Sequence, residues 1–282
     1  MSHPWYHAKS SARLFGGDAS DYVALHSDAD ATKIAFSTNL HRLVLHNRDF
    51  GAGVLAGLHG ETLMRASDGI GVPTREIVAQ HCAEDYGNLV PTLAQCMAPH
   101  PRLQGERVAL GDLEGDIISR LVRKMGGQAS DYESLVSFLV QPALILGDRR
   151  AFGLLGNSFG IFLAERRVGV LLRRTSDGRA LPTRYVAEHA VKAESGHITT
   201  IEAFFAGLSI SRLRGADAWM RGTPLPLSDE FEEDREDVAC EGAIPPSIVI
   251  AESRRLHHQW LHHQSTQLQA VSLTESGAMP RH

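Results

Sequence analysis

An internal duplication constrains the fold of this chain more than any other feature of its sequence. Residues 16–22 and 126–132 agree at six of seven positions, with a separation of 110 residues. Residues 67–75 and 176–184 agree at six of nine positions, with a separation of 109 residues. Shorter matches lie between these two pairs in the same order. Such matches at a nearly constant separation indicate a tandem repeat.

The duplication divides the chain into three regions. They are repeat unit one at residues 1–108, repeat unit two at residues 109–215, and a C-terminal arm at residues 216–282. A single unit of this length buries only a small hydrophobic core. We therefore expect the two units to pack against each other as a pseudo-twofold pair.

Both units show the same order of predicted elements. An opening helix ends at a Gly-Gly pair, which is typical of a helix C-terminus. A β-hairpin follows, in which two short runs flank Ser-Asp-Gly, a sequence that permits the positive φ of a tight turn. The predicted elements are opening helices at 4–14 and 114–125, apolar helices at 134–146 and 159–167, hairpin strands at 61–66 and 170–175, and last helices that begin near 91 and 199. This order predicts an α+β fold of two helical-plus-β-hairpin units, followed by an extended arm and helix.

Charge and cysteine content exclude several classes of protein. The chain has 282 residues and a formal net charge of −5, so it lacks the basic character of a nucleic-acid-binding protein. Its three cysteines are too few and too scattered for a disulfide framework or a cysteine-based zinc site. The most apolar stretch, residues 134–147, is too short to span a membrane. We expect a cytoplasmic protein that binds neither membranes nor nucleic acid.

Five histidines are confined to unit one and form the strongest candidate for a functional site. They are His7, His26, His41, His46 and His81, and the aligned positions of unit two hold Ile117, Val136, Ala151, Gly156 and Ala190. Two imidazoles together with Asp30 or Asp85 would be a typical ligand set for a divalent metal ion. Neutral histidine also transfers protons near pH 7. Alternatively, these histidines cap helices or form buried hydrogen bonds, and unit two replaced them with packing residues.

The spacing of these histidines does not by itself predict a metal site. His41 and His46 are five residues apart, which separates them by roughly 140° around an α-helix. One helix face would therefore not present both imidazoles. A His-Glu-x-x-His motif, which does place two imidazoles on one face, does not occur in the sequence.

Residues 156–160 of unit two fit the G-x-S-x-G pattern of a nucleophile elbow around Ser158, with Asp177 and His189 downstream. That motif requires a strand directly before the serine. The preceding residues 151–155 are short and contain a glycine, so a helix start at Ser158 is the favoured interpretation. Three arginine pairs of unit two predict either a basic face or a solvated surface. They lie at residues 149–150, 166–167 and 173–174.

The C-terminal arm differs in character from both units. An acidic run at residues 228–237 precedes a predicted amphipathic helix from Ser247 to about Gln269. The helix carries four histidines around Trp260 whose spacing suits a metal ion, although a polar helix face is the favoured interpretation. They are His257, His258, His262 and His263. An extended arm that ends in such a helix indicates docking, either on its own core or on a neighbouring subunit.

Several stretches of both units resemble a domain of unknown function from short bacterial and phage proteins, in which it normally occurs once. In unit one these are residues 7–17, Asp21-Tyr22, Leu25-His26, His41-Arg42, His46-Asn47, Gln80-His81, Glu84-Asp85 and Gly87, and in unit two residues 157–165 and 184–188. The two units together cover about three quarters of the chain. The resemblance implies a mixed helical and hairpin domain and is compatible with a phage origin. It implies no activity.

Two functions remain open at this point. The first is a non-enzymatic assembly protein without a cofactor, such as a phage virion component whose C-terminal arm docks on neighbouring subunits. Its partners would be further copies of the chain and other structural proteins, and it would be made in the cytoplasm and incorporated into a virion. The alternative is a metal-dependent, hydrolase-like enzyme that uses the unit-one histidines with Asp30 or Asp85. The lack of a catalytic motif favours the first, and the confinement of the imidazoles to one unit favours the second.

Overall fold

The computed structural model describes residues 3–36 and 39–206, together with the isolated helical positions 247, 248, 251 and 254. The described residues up to position 206 divide into two compact units at His100 and Pro101, and the isolated helical positions belong to the first. In the structure, unit one and unit two denote these compact units. The acidic run and the histidines around Trp260 lie outside the described residues, as does most of the predicted arm helix. Among the described residues, none of the helices combines the length and the apolar character that a membrane span requires.

The described part of unit one consists of helices and one antiparallel hairpin. Its elements are α1 (Pro4–Phe15), α2 (Ala19–Ala29), 3-10 helices at Ala31–Ile34 and Asn39–His41, α3 (Arg42–Leu45), α4 (Phe50–His59), β1 (Thr62–Met64), β2 (Gly71–Pro73), α5 (Thr74–Asp85) and α6 (Leu93–Met97). In the hairpin, Leu63 of β1 pairs with Val72 of β2. The side chains of α1, α2, α4 and α5 meet in one core around Tyr22, Leu55 and Ile77.

Unit two repeats this order of elements. They are a 3-10 helix at Pro101–Leu103, α7 (Leu113–Met125), a 3-10 helix at Ala129–Asp131, α8 (Glu133–Leu146), a 3-10 helix at Arg149–Leu154, α9 (Ser158–Val168), β3 (Leu171–Arg173), β4 (Ala180–Pro182), α10 (Thr183–Ser195) and α11 (Ile201–Phe204). Leu172 of β3 pairs with Leu181 of β4, as Leu63 pairs with Val72 in unit one. The mixed helical and hairpin architecture confirms the predicted α+β class.

The two motifs that revealed the duplication contact each other in unit one. The Tyr22 hydroxyl donates a hydrogen bond of 2.7 Å to the carbonyl of Gly16, at the end of α1. The Arg65 guanidinium, from the hairpin, donates to the carbonyl of Phe15. The Asp21 carboxylate accepts hydrogen bonds from the backbone and hydroxyl of Ser67. We call this set of contacts the helix–hairpin lock.

Unit two forms the same lock at the aligned positions. Tyr132 donates to the carbonyl of Gly126 at 2.7 Å, and Arg174 donates to the carbonyl of Met125 at 2.7 Å. The Asp131 carboxylate accepts from the backbone and hydroxyl of Ser176. The lock satisfies carbonyls at the end of a helix that would otherwise lack partners. It therefore explains why both motifs survive in both units.

The predicted hairpins and last helices are present, but two helices were not predicted. The strands β1 and β3 are shorter than predicted because a tight turn begins directly after them, where Gly69 donates to the carbonyl of Arg65. Thr92 and Thr200 cap α6 and α11, as predicted. The missed helices α5 and α10 begin at the threonine of Pro-Thr-Arg, directly after the second strand of each hairpin. The buried face of α5 carries polar side chains, so hydrophobic periodicity is weak there, whereas α10 carries a regular apolar stripe that was available in the sequence.

Gly51 and Gly160 occupy aligned positions of the two units, and each packs closely against the backbone of a preceding leucine, so they give a test of the shared fold. A Cβ atom would lie 1.9 Å from the carbonyl oxygen of Leu45 at Gly51, and 1.8 Å from that of Leu155 at Gly160. Gly51→Ala and Gly160→Ala should each destabilise the protein by about 3 kcal/mol because backbone must move. Urea unfolding of the full-length chain, followed by circular dichroism, measures the loss.

Gly178→Ala is the control, since Gly178 has a φ of 72° but no atom within 4 Å of the new Cβ. It should cost only about 1–2 kcal/mol, the strain of a left-handed backbone. Equal losses in all three variants would contradict the close approach.

Candidate metal centre

The structure brings together all seven residues that the sequence marked as candidate metal ligands. His7 lies on α1 and His26 on α2, while His81 and Asp85 lie one helical turn apart on α5. Asp30 follows α2, His41 ends a 3-10 helix, and His46 follows α3. All seven are at most 7% exposed. We call these seven residues the buried cluster.

Four members of the buried cluster direct donor atoms toward one point. They are His46, His81, Asp30 and Asp85, whose candidate ligand atoms all lie within 4.8 Å of one another. The Nε2 atoms of His46 and His81 are 2.8 Å apart, and His46 Nε2 is 2.9 Å from Asp85 Oδ2. Asp30 Oδ1 is 3.4 Å from His46 Nε2 and 3.9 Å from His81 Nε2. We call these four residues the donor set.

The other three histidines surround the donor set. The Nε2 atom of His41 is 3.6 Å from Asp30 Oδ1, and that of His7 is 3.7 Å from Asp85 Oδ1. His26 contacts a donor imidazole directly, because its Nδ1 is 2.8 Å from the Nδ1 of His81. These residues therefore hold the donors in place from a second layer.

The spacing argument about one helix face does not limit the distance between His41 and His46. It assumed one continuous helix, but the chain leaves the helical conformation at His46, where φ is −91° and ψ is 58°. Asn47 then caps α4 by accepting hydrogen bonds from the backbone of Phe50 and Gly51. Because of this break, the imidazole rings of His41 and His46 lie 5.4 Å apart.

Sequence reasoning missed the basic and acidic partners of the buried cluster. Arg42 Nη2 lies 3.2 Å from Asp85 Oδ1, and Lys33 Nζ lies 2.8 Å from Asp30 Oδ2. Glu84 Oε2 lies 2.5 Å from His7 Nδ1. The sequence could have indicated Lys33, because it follows Asp30 by three residues and oppositely charged side chains at that spacing often form an ion pair. Arg42 was not, because its partner is 43 residues away.

Burial and neighbouring charges act in opposite directions on the two carboxylates. Burial alone would raise the pKa of Asp85, but Arg42 and the imidazole of His46 hold that pKa well below its usual range. Burial likewise opposes ionisation of Asp30, and Lys33 together with His46 holds its pKa well below its usual value. Both carboxyl groups are therefore ionised at neutral pH, as metal ligands must be.

The histidines differ among themselves in their preference for a proton. Burial lowers the pKa of His26 and His81 well below the ordinary value, and it lowers that of His41 to about 3. These imidazoles are neutral near pH 7. Burial also opposes protonation of His7, but its hydrogen bond with Glu84 and the charge of Asp85 raise the pKa of this group overall.

Unit two has lost this chemistry almost completely. The positions aligned with Asp30, Arg42, His46 and His81 hold the small or apolar residues Val140, Phe152, Gly156 and Ala190. The position of Asp85 holds Glu194, whose carboxylate forms two hydrogen bonds of 2.6 Å with Arg149. The lock is thus common to both units, whereas the buried cluster belongs to unit one.

The alternative sites of unit two are structural. Ser158 begins α9 and follows a 3-10 helix rather than a strand, so the nucleophile elbow lacks its strand and the helix-start interpretation is supported. Arg150 binds Asp148, and the buried guanidinium of Arg174 binds Asp177. With Arg149 bound to Glu194, three of the six arginines in these pairs form internal ion pairs.

Acidification should unfold unit one before unit two. The lowered pKa values of Asp30, Asp85 and the neutral histidines mean that the unfolded chain binds protons more readily than the folded chain. Their contribution to stability is present above the unfolded pKa and is lost as the pH falls, from about 6.5 for the histidines and from about 4 for the carboxylates. His7 has the opposite sign, because its raised pKa stabilises the folded state below about pH 6.5, so it offsets a part of this loss.

Hydrogen exchange read by mass spectrometry measures this loss for each unit separately. After correction for intrinsic exchange, protection of α5 should fall between pH 6.5 and 4 while protection of α10 persists. His41→Ala, which introduces the residue found at the aligned position of unit two, should move the fall in unit one to lower pH. Parallel loss in both units would contradict the assignment.

The family of the chain follows from its comparison with known proteins. A family described as "Domain of unknown function (DUF6915)" matches the chain twice, at residues 2–102 and 118–213. No curated protein and no solved structure matches it. The double match confirms the duplication that the two motifs predicted. The chain belongs to this family of domains of unknown function and carries two copies of the domain.

Proposed function

We propose that unit one is a metal-binding domain, in which the donor set holds one divalent transition-metal ion. The observation that supports this proposal is the convergence of two imidazole nitrogens and two carboxylate oxygens in a buried space. Buried charged groups are costly unless they are paired or bind a metal ion. Two buried carboxylates and two imidazoles, from three segments of the chain, would therefore be an expensive way to fill a core.

The distances within the donor set suit a four-coordinate site. Five of the distances between donor atoms range from 2.8 to 3.9 Å. Metal–ligand bonds of about 2.0–2.1 Å in a tetrahedral arrangement place the ligand atoms about 3.3 Å apart. The donor atoms thus stand at the corners of a volume that one ion would fill with small adjustments of side chains.

An unsatisfied carboxylate oxygen supports the same interpretation. Asp30 Oδ1 is buried and has no hydrogen-bond partner among the described residues. The imidazole nitrogens that face it lie 3.4 to 3.9 Å away, longer than the roughly 2.7–3.2 Å of an ordinary N–H···O hydrogen bond. A metal ion between these atoms would satisfy the oxygen without requiring the imidazoles to come closer.

The donor types narrow the choice of metal and role. Two imidazoles with two carboxylates and no sulfur suit Zn²⁺ and neighbouring transition-metal dications better than Mg²⁺ or Ca²⁺, which prefer oxygen ligands alone. Four buried protein donors leave no position for a substrate, which is the arrangement of a structural site rather than a hydrolytic one. The ion would neutralise the two carboxylates and tie α2, α3 and α5 together.

The predicted assembly role rests on different residues. It depends on the C-terminal arm, most of which lies outside the described residues, so docking on neighbouring subunits and incorporation into a virion stay predictions. A metal-stabilised unit one is compatible with that role, because a structural ion supports a domain without giving it an activity.

Zinc binding by the full-length chain tests the proposal directly. The protein, freed of metal by a chelator and returned to zinc, should bind one equivalent as weighed by native mass spectrometry, and its thermal unfolding temperature should rise. Asp30→Asn and His46→Gln should each abolish both effects, because they remove a donor from the closed site.

A second histidine–aspartate pair of the same unit supplies matched controls. His59 Nε2 lies 2.8 Å from Asp28 Oδ2, outside the donor set. Asp28→Asn and His59→Gln should leave zinc stoichiometry unchanged, even where they reduce stability. Zinc binding lost equally in the Asp28 and Asp30 variants would show a general effect of unfolding and would contradict the assigned site.

Removal of the Lys33 charge provides a test in which zinc affinity should rise instead of fall. Its ammonium group binds Asp30 and is 24% exposed, so it competes with a dication for the same carboxylate. Lys33→Gln should raise zinc affinity by up to about fivefold, the equivalent of one ion pair of about 1 kcal/mol. Competition against a zinc-binding dye measures the change, and a lower affinity in this variant would contradict binding at Asp30.

A further inference from the structure

A continuous chain of hydrogen bonds leads from the edge of unit one to a donor atom. The Ser11 hydroxyl of α1 donates to Gln80 Oε1 of α5 at 2.5 Å. The same hydroxyl oxygen lies 2.8 Å from Nε2 of His26, and Nδ1 of His26 lies 2.8 Å from Nδ1 of His81. His81 Nε2 then faces the donor set. We call this chain the Gln80–His81 relay.

The direction of the first hydrogen bond determines every other one. A serine hydroxyl has one proton, and Ser11 donates it in the hydrogen bond to Gln80, so its oxygen accepts a hydrogen bond from the N–H of His26 Nε2. A neutral imidazole carries a single N–H, so Nδ1 of His26 is an acceptor. The proton between the two imidazoles therefore sits on Nδ1 of His81, so Nε2 of His81 carries a lone pair, which faces Nε2 of His46 at 2.8 Å within the donor set.

We infer that Gln80 and Ser11 are positioning residues, which act through His26 to hold His81 in the tautomer that can bind a metal ion. The role that this inference gives to the relay rests on the proposed metal-binding function, whereas the hydrogen bonds of the relay are observed independently of it. Metal-binding histidines ordinarily donate their second N–H to a fixed acceptor, and loss of that acceptor weakens metal binding. In this protein the acceptor is the imidazole of His26, whose own tautomer is set by Ser11 and, through Ser11, by Gln80.

The relay has only two consistent directions, and Gln80 selects between them. If the Gln80 amide were turned over, its Nε2 would donate to Ser11, and every proton in the relay would move to the other side. His81 Nε2 would then carry a hydrogen and could not bind a metal. In the observed orientation Gln80 Oε1 accepts from Ser11, while its Nε2 atom is buried and has no hydrogen-bond partner among the described residues.

Unit two has lost the relay together with the donor set. The positions aligned with Ser11, His26 and His81 hold Leu121, Val136 and Ala190, which form no hydrogen bonds through their side chains. The position of Gln80 holds His189, whose Nδ1 instead lies 2.9 Å from the carbonyl of Tyr185 in its own helix. The relay and the donor set are therefore both present in unit one and both absent from the aligned positions of unit two.

Two variants of the full-length protein separate a tautomer effect from a packing effect. Ser11→Ala removes the acceptor of His26, so the relay should reverse and zinc affinity should fall about 10–100-fold. Gln80→Glu supplies a group that only accepts, so the direction should be kept and zinc affinity should be no weaker than in the parent protein. Ser158→Ala, a loss of a buried serine in unit two, is the control for stability.

The tautomer itself is read from metal-free protein labelled with ¹⁵N-histidine. Long-range ¹H–¹⁵N correlation spectra distinguish Nδ1–H from Nε2–H, and His81→Gln identifies the signals of His81. We expect Nδ1–H at His81 in the parent protein and in Gln80→Glu, and Nε2–H in Ser11→Ala. Nε2–H in the parent protein would overturn the inference, as would an unchanged tautomer and affinity in Ser11→Ala.

This readout keeps the inference and the proposed function apart. A parent protein that binds no zinc but shows Nδ1–H at His81 would refute the metal site and leave the relay standing. A parent protein that binds zinc but shows Nε2–H at His81 in its metal-free form would support the metal site and refute the relay. If Ser11→Ala does not fold, the tautomer in the parent protein and in Gln80→Glu still decides the matter.

Discussion

A buried arginine that binds the end of the first helix is the interaction on which each unit depends. Arg65 in unit one and Arg174 in unit two are 5% and 2% exposed, and each reaches from the hairpin to the last carbonyls of α1 or α7. A planar guanidinium can serve a carbonyl and a carboxylate at once, which Asp68 and Asp177 provide here. The hairpin is too short to have a stable position alone, and this contact supplies one.

The same frame accommodates two different interiors. In unit two the space between the helices is filled by aliphatic side chains such as Val140 and Ala190, which need no partners. In unit one the equivalent space holds carboxylates and imidazoles, each of which must be paired or hydrogen-bonded to compensate for its lost hydration. Arg42 and Lys33 supply a part of that compensation. The free energy lost by desolvating these groups is offset if they bind a metal ion, and this is the physical basis for proposing a metal site in unit one.

Several features could be predicted from particular residues. The Gly-Gly, Asp-Tyr and Ser-Asp-Gly motifs predicted the duplication, the ends of α1 and α7, and both hairpins, because glycine conformations and tight turns are local properties. The loss of five imidazoles from unit two pointed to the residues of the buried cluster. Helix α5 was missed because His81 and Asp85 occupy its inward face, so that the usual contrast between apolar and polar faces is weak. Arg42 was missed because nothing local connects it with Asp85.

The sequence by itself determined the repeat, the order of helices and hairpins, and which unit carries titratable groups, since all of these follow from local conformation and from comparison of the chain with itself. Only the tertiary structure decided that His46 and His81 face each other at 2.8 Å and that Gln80 stands at the far end of a relay to His81. Those relationships join segments that are 35 and 69 residues apart. They depend on how α1, α2, α3 and α5 pack, and the direction of the relay depends on the orientation of the Gln80 amide, which no sequence pattern specifies.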